Sequence, residues 1–175
     1  MGIYATDLRE LVIRPTLQLL DEWSPAAENL LLGTAAQESQ LGFRMCANPA
    51  RGLGLFCISE YTHTQVWDKF LVTSPELASR TRGLASQQQF LKAPHHELIT
   101  NLSYSTGIAW MIYKAHQLQL PDENNIQELA GFWLHYYCNR DAQHTAALSN
   151  YDAMLDKFVH NYRKLVLREN KTLAA

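Results

Sequence analysis

A mainly α fold of about seven helices in a single domain is what this sequence predicts. Apolar residues recur at helical spacing along most of the chain, and turn-forming residues gather in one region, 43–61. The 175 residues are 47% hydrophobic and 18% charged, enough apolar material for a full core and too little charge for a disordered chain. No internal repeat or linker divides it. Residues 1–175 therefore read as one domain, with 1–23 as an N-terminal helical extension and 168–175 as a C-terminal tail.

Leu8, Leu11, Val12, Leu17, Leu19 and Leu20 predict a first helix with a packing role, bent or split near Pro15, which cannot donate an interior hydrogen bond. Pro25 to Leu41 predicts the next: Ser24 can cap it, Pro25 suits its first turn and Gly42 suits its end. Residues 43–61, with Pro49, Gly52 and Gly54, read as an irregular loop or short hairpin where a substrate groove would be walled. Thr62 to Leu71 and Ser74 to Leu84 read as two short helices, the second opening on the start signal Ser74-Pro75-Glu76. Leu98, Leu102, Ile108, Ile112 and Tyr113 suggest a long central helix. Ile126, Leu129, Ala130, Trp133, Leu134 and Tyr137 fit another helical face, as do Tyr151, Met154, Leu155, Phe158, Val159, Tyr162, Leu165 and Val166.

Glu38 falls in the last turn of the second helix and shares a face with Leu31, Thr34, Ala35 and Leu41, so an acid is aimed at an apolar or small-residue surface. Burial disfavours the charged form, and the negative end of the helix dipole acts in the same direction. A carboxyl held protonated near neutral pH is what a general acid for glycosidic cleavage requires. The same pattern also fits an exposed residue near a frayed helix end.

The run Ala36-Gln37-Glu38-Ser39, followed by Gly54-Leu55-Phe56, resembles the soluble lytic transglycosylase domain of the lysozyme-like superfamily. The chain is also similar to small, mostly phage-encoded transglycosylase-like proteins. That similarity is carried by Leu32-Gly33-Thr34-Ala35-Ala36-Gln37-Glu38-Ser39, by Gly54-Leu55-Phe56 with Thr62-His63 and Trp67, by Leu98-Ile99-Thr100-Asn101-Leu102, and by Trp133 with Tyr136-Tyr137. The resemblance implies a lysozyme-like domain with Glu38 as its only catalytic carboxylate. It also implies Ser39, Gly54, Leu55, Phe56, Cys57 and Tyr137 as substrate-binding residues, with Thr34 supporting the groove.

The implied reaction is cleavage of the bond between N-acetylmuramic acid and N-acetylglucosamine. Glu38 would protonate the glycosidic oxygen and then act as base while the muramyl 6-hydroxyl attacks the anomeric carbon, giving a 1,6-anhydro sugar. No cofactor is needed. Glu60 and Asp68 lie near enough in sequence to keep hydrolysis open. The chain departs from the family pattern at two places: Cys57 stands where a glutamine is usual, and Cys138 where an asparagine is common. Asn139 is displaced from that position by one residue, about 100° around a helix. These departures leave a second reading, a catalytically degenerate lysozyme-like component of a phage tail, hub or ejection apparatus. A plain helical interaction module with a coincidental Glu-Ser pair is a third.

A formal charge of −2 gives no general attraction to nucleic acid or to anionic surfaces, so binding is expected to depend on a shaped groove. The expected partners are a peptidoglycan glycan strand and, through the resemblance, other virion proteins near the tail, hub or portal. Neither nucleic acid nor membrane insertion is expected. Cys46, Cys57 and Cys138 form an odd set without CxxC spacing, which predicts reduced thiols that pack as small buried residues. His63, His95, His96, His116, His135, His144 and His160 show no HExxH-like spacing, so no metal is predicted. Trp133 and Tyr136 either border a sugar subsite or belong to the core, and Trp133 reads as core. Residues 1–7 lack a basic region followed by an apolar run. The expectation is a protein with no export signal of its own, assembled into a virion in the host cytoplasm and acting at the cell wall during genome entry.

Overall fold

The computed structural model describes residues 2–48, 52–117, 119–138 and 150–167, and these are mainly helical with two short strands. Asn139, His144 and the tail 168–175 lie outside the described residues.

The helix Pro25–Ser39 sits at the centre. Ser24 is extended and its side chain accepts the Ala27 N–H at 3.1 Å, and Pro25 occupies the first turn, where its missing N–H costs nothing. From Ala26 to Ala36 every residue except Asn29 is buried, so the helix is enclosed on all sides. The first helix covers one side with Leu8, Ile13 and Leu17, and the central helix Leu102–Lys114, buried from Tyr104 to Tyr113, covers another. The helix Ile126–Phe132, continuing through the π turn Trp133–Tyr137, and the last described helix Tyr151–Tyr162 close the remainder. The last helix approaches closely because Gly33 has no side chain: a Cβ there would lie 2.4 Å from Cζ of Phe158.

Two sequence expectations about helix boundaries need correction, at the end of the Glu38 helix and at Asn101. The first helix changes geometry beside Pro15, where the sequence expects a bend or split. It runs as Ala5–Asp7, a π segment Leu8–Ile13 and Arg14–Leu19, with Pro15 in the first turn of the last piece. The Glu38 helix ends at Ser39 and not at Gly42, because Gln40 and Leu41 both turn left-handed at φ 54°. Leu41 thereby buries its side chain, and its carbonyl accepts the Ile3 N–H at 2.7 Å. Ser74 occupies the N-cap position of Pro75–Leu84 without a capping bond. The predicted helix through Leu98 and Tyr113 breaks at Asn101, whose side chain accepts the Tyr104 N–H at 3.0 Å and restarts the chain as the central helix.

Two buried polar groups pin this arrangement. Glu28, on the enclosed helix, receives hydrogen bonds from Arg9, from Arg14 at 2.8 and 3.0 Å, and from the Trp23 indole at 2.9 Å. Burial alone would raise its pKa, but the donors from Arg14, Trp23 and Arg9 together hold it below the usual carboxylate range. The first helix is therefore tied to the core by charge as well as by leucines.

His63 is the other. It lies in Glu60–Gln65, which continues as a π turn Val66–Phe70 and a 3-10 turn Leu71–Thr73. Its Nε2 is 2.7 Å from the Tyr104 hydroxyl and its Nδ1 is 2.8 Å from Nδ1 of His95, while the Trp67 indole donates to the Tyr104 oxygen at 2.9 Å. An indole only donates, so the Tyr104 oxygen accepts from Trp67, and the arrangement in which Tyr104 donates to His63 Nε2 and His63 Nδ1 donates to His95 uses every hydrogen in the chain. No partner in that chain carries a negative charge that would hold a proton on His63. Burial, reinforced by His95, lowers the His63 pKa to about 4 from 6.5.

A buried histidine that refuses a proton makes stability fall as the pH is lowered. The unfolded chain takes the proton below about 6.5 while the fold resists it until about 4, so stability on the order of 3 kcal/mol drains away across that window. Urea midpoints at pH 7 and pH 4.5 should separate strongly for the natural protein. In His63→Gln, which keeps a polar side chain and cannot titrate, the separation should shrink.

Candidate active site

Glu38 is half-buried in the last turn of Pro25–Ser39, as its sequence position predicts. The backbone just after it is held by Ser39, whose buried hydroxyl donates to the Ala35 carbonyl at 3.2 Å and accepts the Gly42 N–H at 3.0 Å. Beside it stands a short hairpin, Cys46–Asn48 against Gly52–Gly54, antiparallel with Ala47 opposite Leu53. The hairpin leads into a tight turn closed by reciprocal backbone bonds between Leu53 and Ile58, 2.8 and 3.1 Å. Gly54, Leu55, Phe56 and Cys57 fill that turn.

Gly54 has φ +71°, and a Cβ on it would lie 1.8 Å from the Leu98 carbonyl oxygen, so only glycine lets the hairpin rest on the helix Glu97–Thr100. Cys57 also takes a left-handed conformation, φ 47°. Its thiol reaches the backbone carbonyl of Glu38 at 3.5 Å and that of Gly54 at 3.9 Å. The last carbonyls of a helix have no partner within it, so Cys57 acts as a weak cap that joins the turn to the Glu38 helix.

Tyr137 closes the arrangement from the opposite side. Its hydroxyl donates to the Phe56 carbonyl at 2.8 Å, and its ring stacks on Tyr113 with centroids 5.3 Å apart. Tyr113 in turn lies 2.7 Å from the Thr34 hydroxyl. The Thr34 hydrogen goes to the Leu30 carbonyl at 2.8 Å, so Tyr113 is the donor to Thr34. The residues predicted around Glu38 are thus brought together. Ser39, Leu55, Phe56 and Tyr137 have no exposed surface, however, so their side chains support the site from within and offer no face to a ligand.

One partner of Glu38 is a residue read from sequence as core. Trp133 is indeed buried, but its indole Nε1 donates to Glu38 Oε1 at 2.9 Å. The signal lay in the chemistry of tryptophan, since a buried indole N–H seeks an acceptor. Next to Glu38, the Asn161 amide donates to Gln37 Oε1 at 2.8 Å and ties the last helix to the same corner. Tyr136 packs against Phe132 and His116, with centroids 4.7 and 4.9 Å away, and Cys138 is half-buried. Glu60 and Asp68 are exposed on the helix that follows the turn.

Cavities of about 410 and 440 Å³ lie elsewhere, lined by Leu20, Pro75 and Arg80 and by Phe70, Trp110 and Phe132; Glu38 lines neither. Among the described residues no three His, Cys, Asp or Glu side chains cluster as a metal site, and no helix is long and apolar enough to cross a membrane. No protein-family model matches the chain, and neither a curated protein nor a solved structure matches it.

Removing only the Tyr137 hydroxyl leaves the buried Phe56 carbonyl without this donor. Tyr137→Phe should cost about 1–3 kcal/mol in urea unfolding while the helical circular dichroism stays unchanged. An unchanged midpoint would show that the turn does not depend on this bond.

Proposed function

We propose that this protein is a lysozyme-like lytic transglycosylase that cleaves the glycan strand of peptidoglycan with Glu38 as its single acid and base. The observation that carries the reading is the setting of Glu38. It is a half-buried carboxyl at a helix end, held by an indole N–H and flanked by a glycine-dependent turn that closely packed aromatic side chains hold in place. Such a setting restricts both the solvation and the orientation of the acid, which are the two properties general acid catalysis needs.

On this reading Glu38 protonates the glycosidic oxygen between N-acetylmuramic acid and N-acetylglucosamine as that bond breaks. The resulting carboxylate then takes the proton of the muramyl 6-hydroxyl as it closes on the anomeric carbon. One group serves twice, no water is consumed, and no cofactor takes part. The biological setting we propose is a phage particle, assembled in the host cytoplasm beside tail, hub or portal proteins and acting on the cell wall at genome entry. It rests on the sequence resemblance.

A catalytically degenerate virion component is the second reading, and Cys57 favours it. Where the resembling family has an amide, this chain has a thiol already engaged with backbone carbonyls. Zymography on purified peptidoglycan separates the two. The enzyme should release anhydromuramyl products, and Glu38→Gln should lose about 10²–10⁴ in rate. Hydrated reducing ends alone would point to hydrolysis, and no activity in the natural protein would leave the degenerate reading. Mass spectrometry of purified virions should find the chain in particles, in equal amount with Glu38→Gln; its complete absence would remove the particle assignment.

A further inference from the structure

We propose that Trp133 is the positioning residue for Glu38, its indole N–H selecting Oε1 as acceptor and so placing the acidic proton on Oε2. The catalytic meaning of this rests on the transglycosylase reading, whereas the coupling of the two side chains rests on geometry alone. Trp133 is 2% exposed, so its N–H finds its partner inside the protein, and that partner is Glu38 Oε1 at 2.9 Å. The polarity of the bond is fixed because an indole can only donate.

The ring is fixed as well. Trp133 packs on Phe158 with centroids 5.4 Å apart, and Phe158 fills the space over Gly33, which lies on the same helix as Glu38. Donor and acceptor are therefore both referenced to one rigid element. Widening the contact at position 33 would move the donor away from the acid.

The two oxygens of a protonated carboxyl differ: the carbonyl oxygen is the better acceptor and the other carries the hydrogen. A fixed donor on Oε1 makes that choice in advance. A group that must deliver a proton and then recover one uses the same oxygen for both transfers, without turning between them. The same bond favours the carboxylate over the acid, because hydrogen bonding to a charged form stabilises it. Trp133 thus orients the acid and limits the pH range over which it stays protonated.

Among the described residues, two further titratable groups are tied to this corner: the Cys57 thiol, which reaches the Glu38 carbonyl, and the Tyr137 hydroxyl on the Trp133 helix, which donates to the Phe56 carbonyl. Direct observation of the Glu38 carboxyl separates it from both. In protein carrying ¹³C-labelled glutamate, the Glu38 carboxyl signal is the one missing from Glu38→Gln. Trp133→Phe keeps an aromatic ring on Phe158 and removes the N–H, and should move the Glu38 titration midpoint up by about one pH unit. The alkaline limb of peptidoglycan cleavage should move with it, and kcat should fall about tenfold with KM little changed.

A packing role alone would lower stability and leave the midpoint in place, and that result overturns the proposal. If Trp133→Phe fails to fold, replacing the indole by the isosteric benzothiophene side chain removes only the N–H, and the same midpoint decides. Full activity in Glu38→Gln would sink the transglycosylase reading. The carboxyl titration would still report on Trp133.

Discussion

A helix buried along nearly its whole length must find partners on several sides, and the rest of this fold answers to that constraint on Pro25–Ser39. Three neighbouring helical elements and the last helix are arranged around it, and Gly33 admits the last helix. Its few polar side chains then determine where specific contacts must form. Glu28 draws in Arg9, Arg14 and Trp23, Thr34 draws in Tyr113, and Glu38 draws in Trp133. Each of these bonds reaches a different part of the chain, so satisfying one helix also sets the relative placement of the others.

The same logic explains why the hairpin turn is so tightly specified. Gly54 rests on the Leu98 carbonyl, the Phe56 carbonyl is held by Tyr137, and Cys57 meets the carbonyl of Glu38. Three backbone oxygens are thus matched by a missing side chain, a phenol and a thiol. The thiol is the weakest of the three, and it stands where the sequence expectation set an amide. This is the point at which a transglycosylase reading and a structural reading of the protein diverge.

Local signals in the sequence were enough for the start of the Glu38 helix, for the placement of Glu38 in its last turn and for the hairpin, because Ser24, Pro25, Gly52 and Gly54 act through their own backbone preferences. The end of that helix was not legible, since Gln40 and Leu41 turn left-handed to bury Leu41 and to meet Ile3, a tertiary requirement no local pattern encodes. The break at Asn101 was hidden by apolar periodicity continuing across it. Trp133 was legible as core but not as the partner of Glu38, for periodicity reports which face is buried and not where a single N–H points. The burial of Ser39, Leu55, Phe56 and Tyr137 has the same origin: the sequence pattern gathered them near the acid without saying which would face outward.

The bond from the Ile3 N–H to the Leu41 carbonyl has a mechanical meaning. Residue 3 is sewn directly to the segment that ends the Glu38 helix, and Gly2 lies so close to it that a Cβ would sit 2.4 Å from the Leu41 oxygen. Tension on residues 2 and 3 therefore reaches the end of that helix through one 2.7 Å hydrogen bond, with no slack loop between them. The element that carries the acid therefore shares a load applied there with the helix that begins at Ala5.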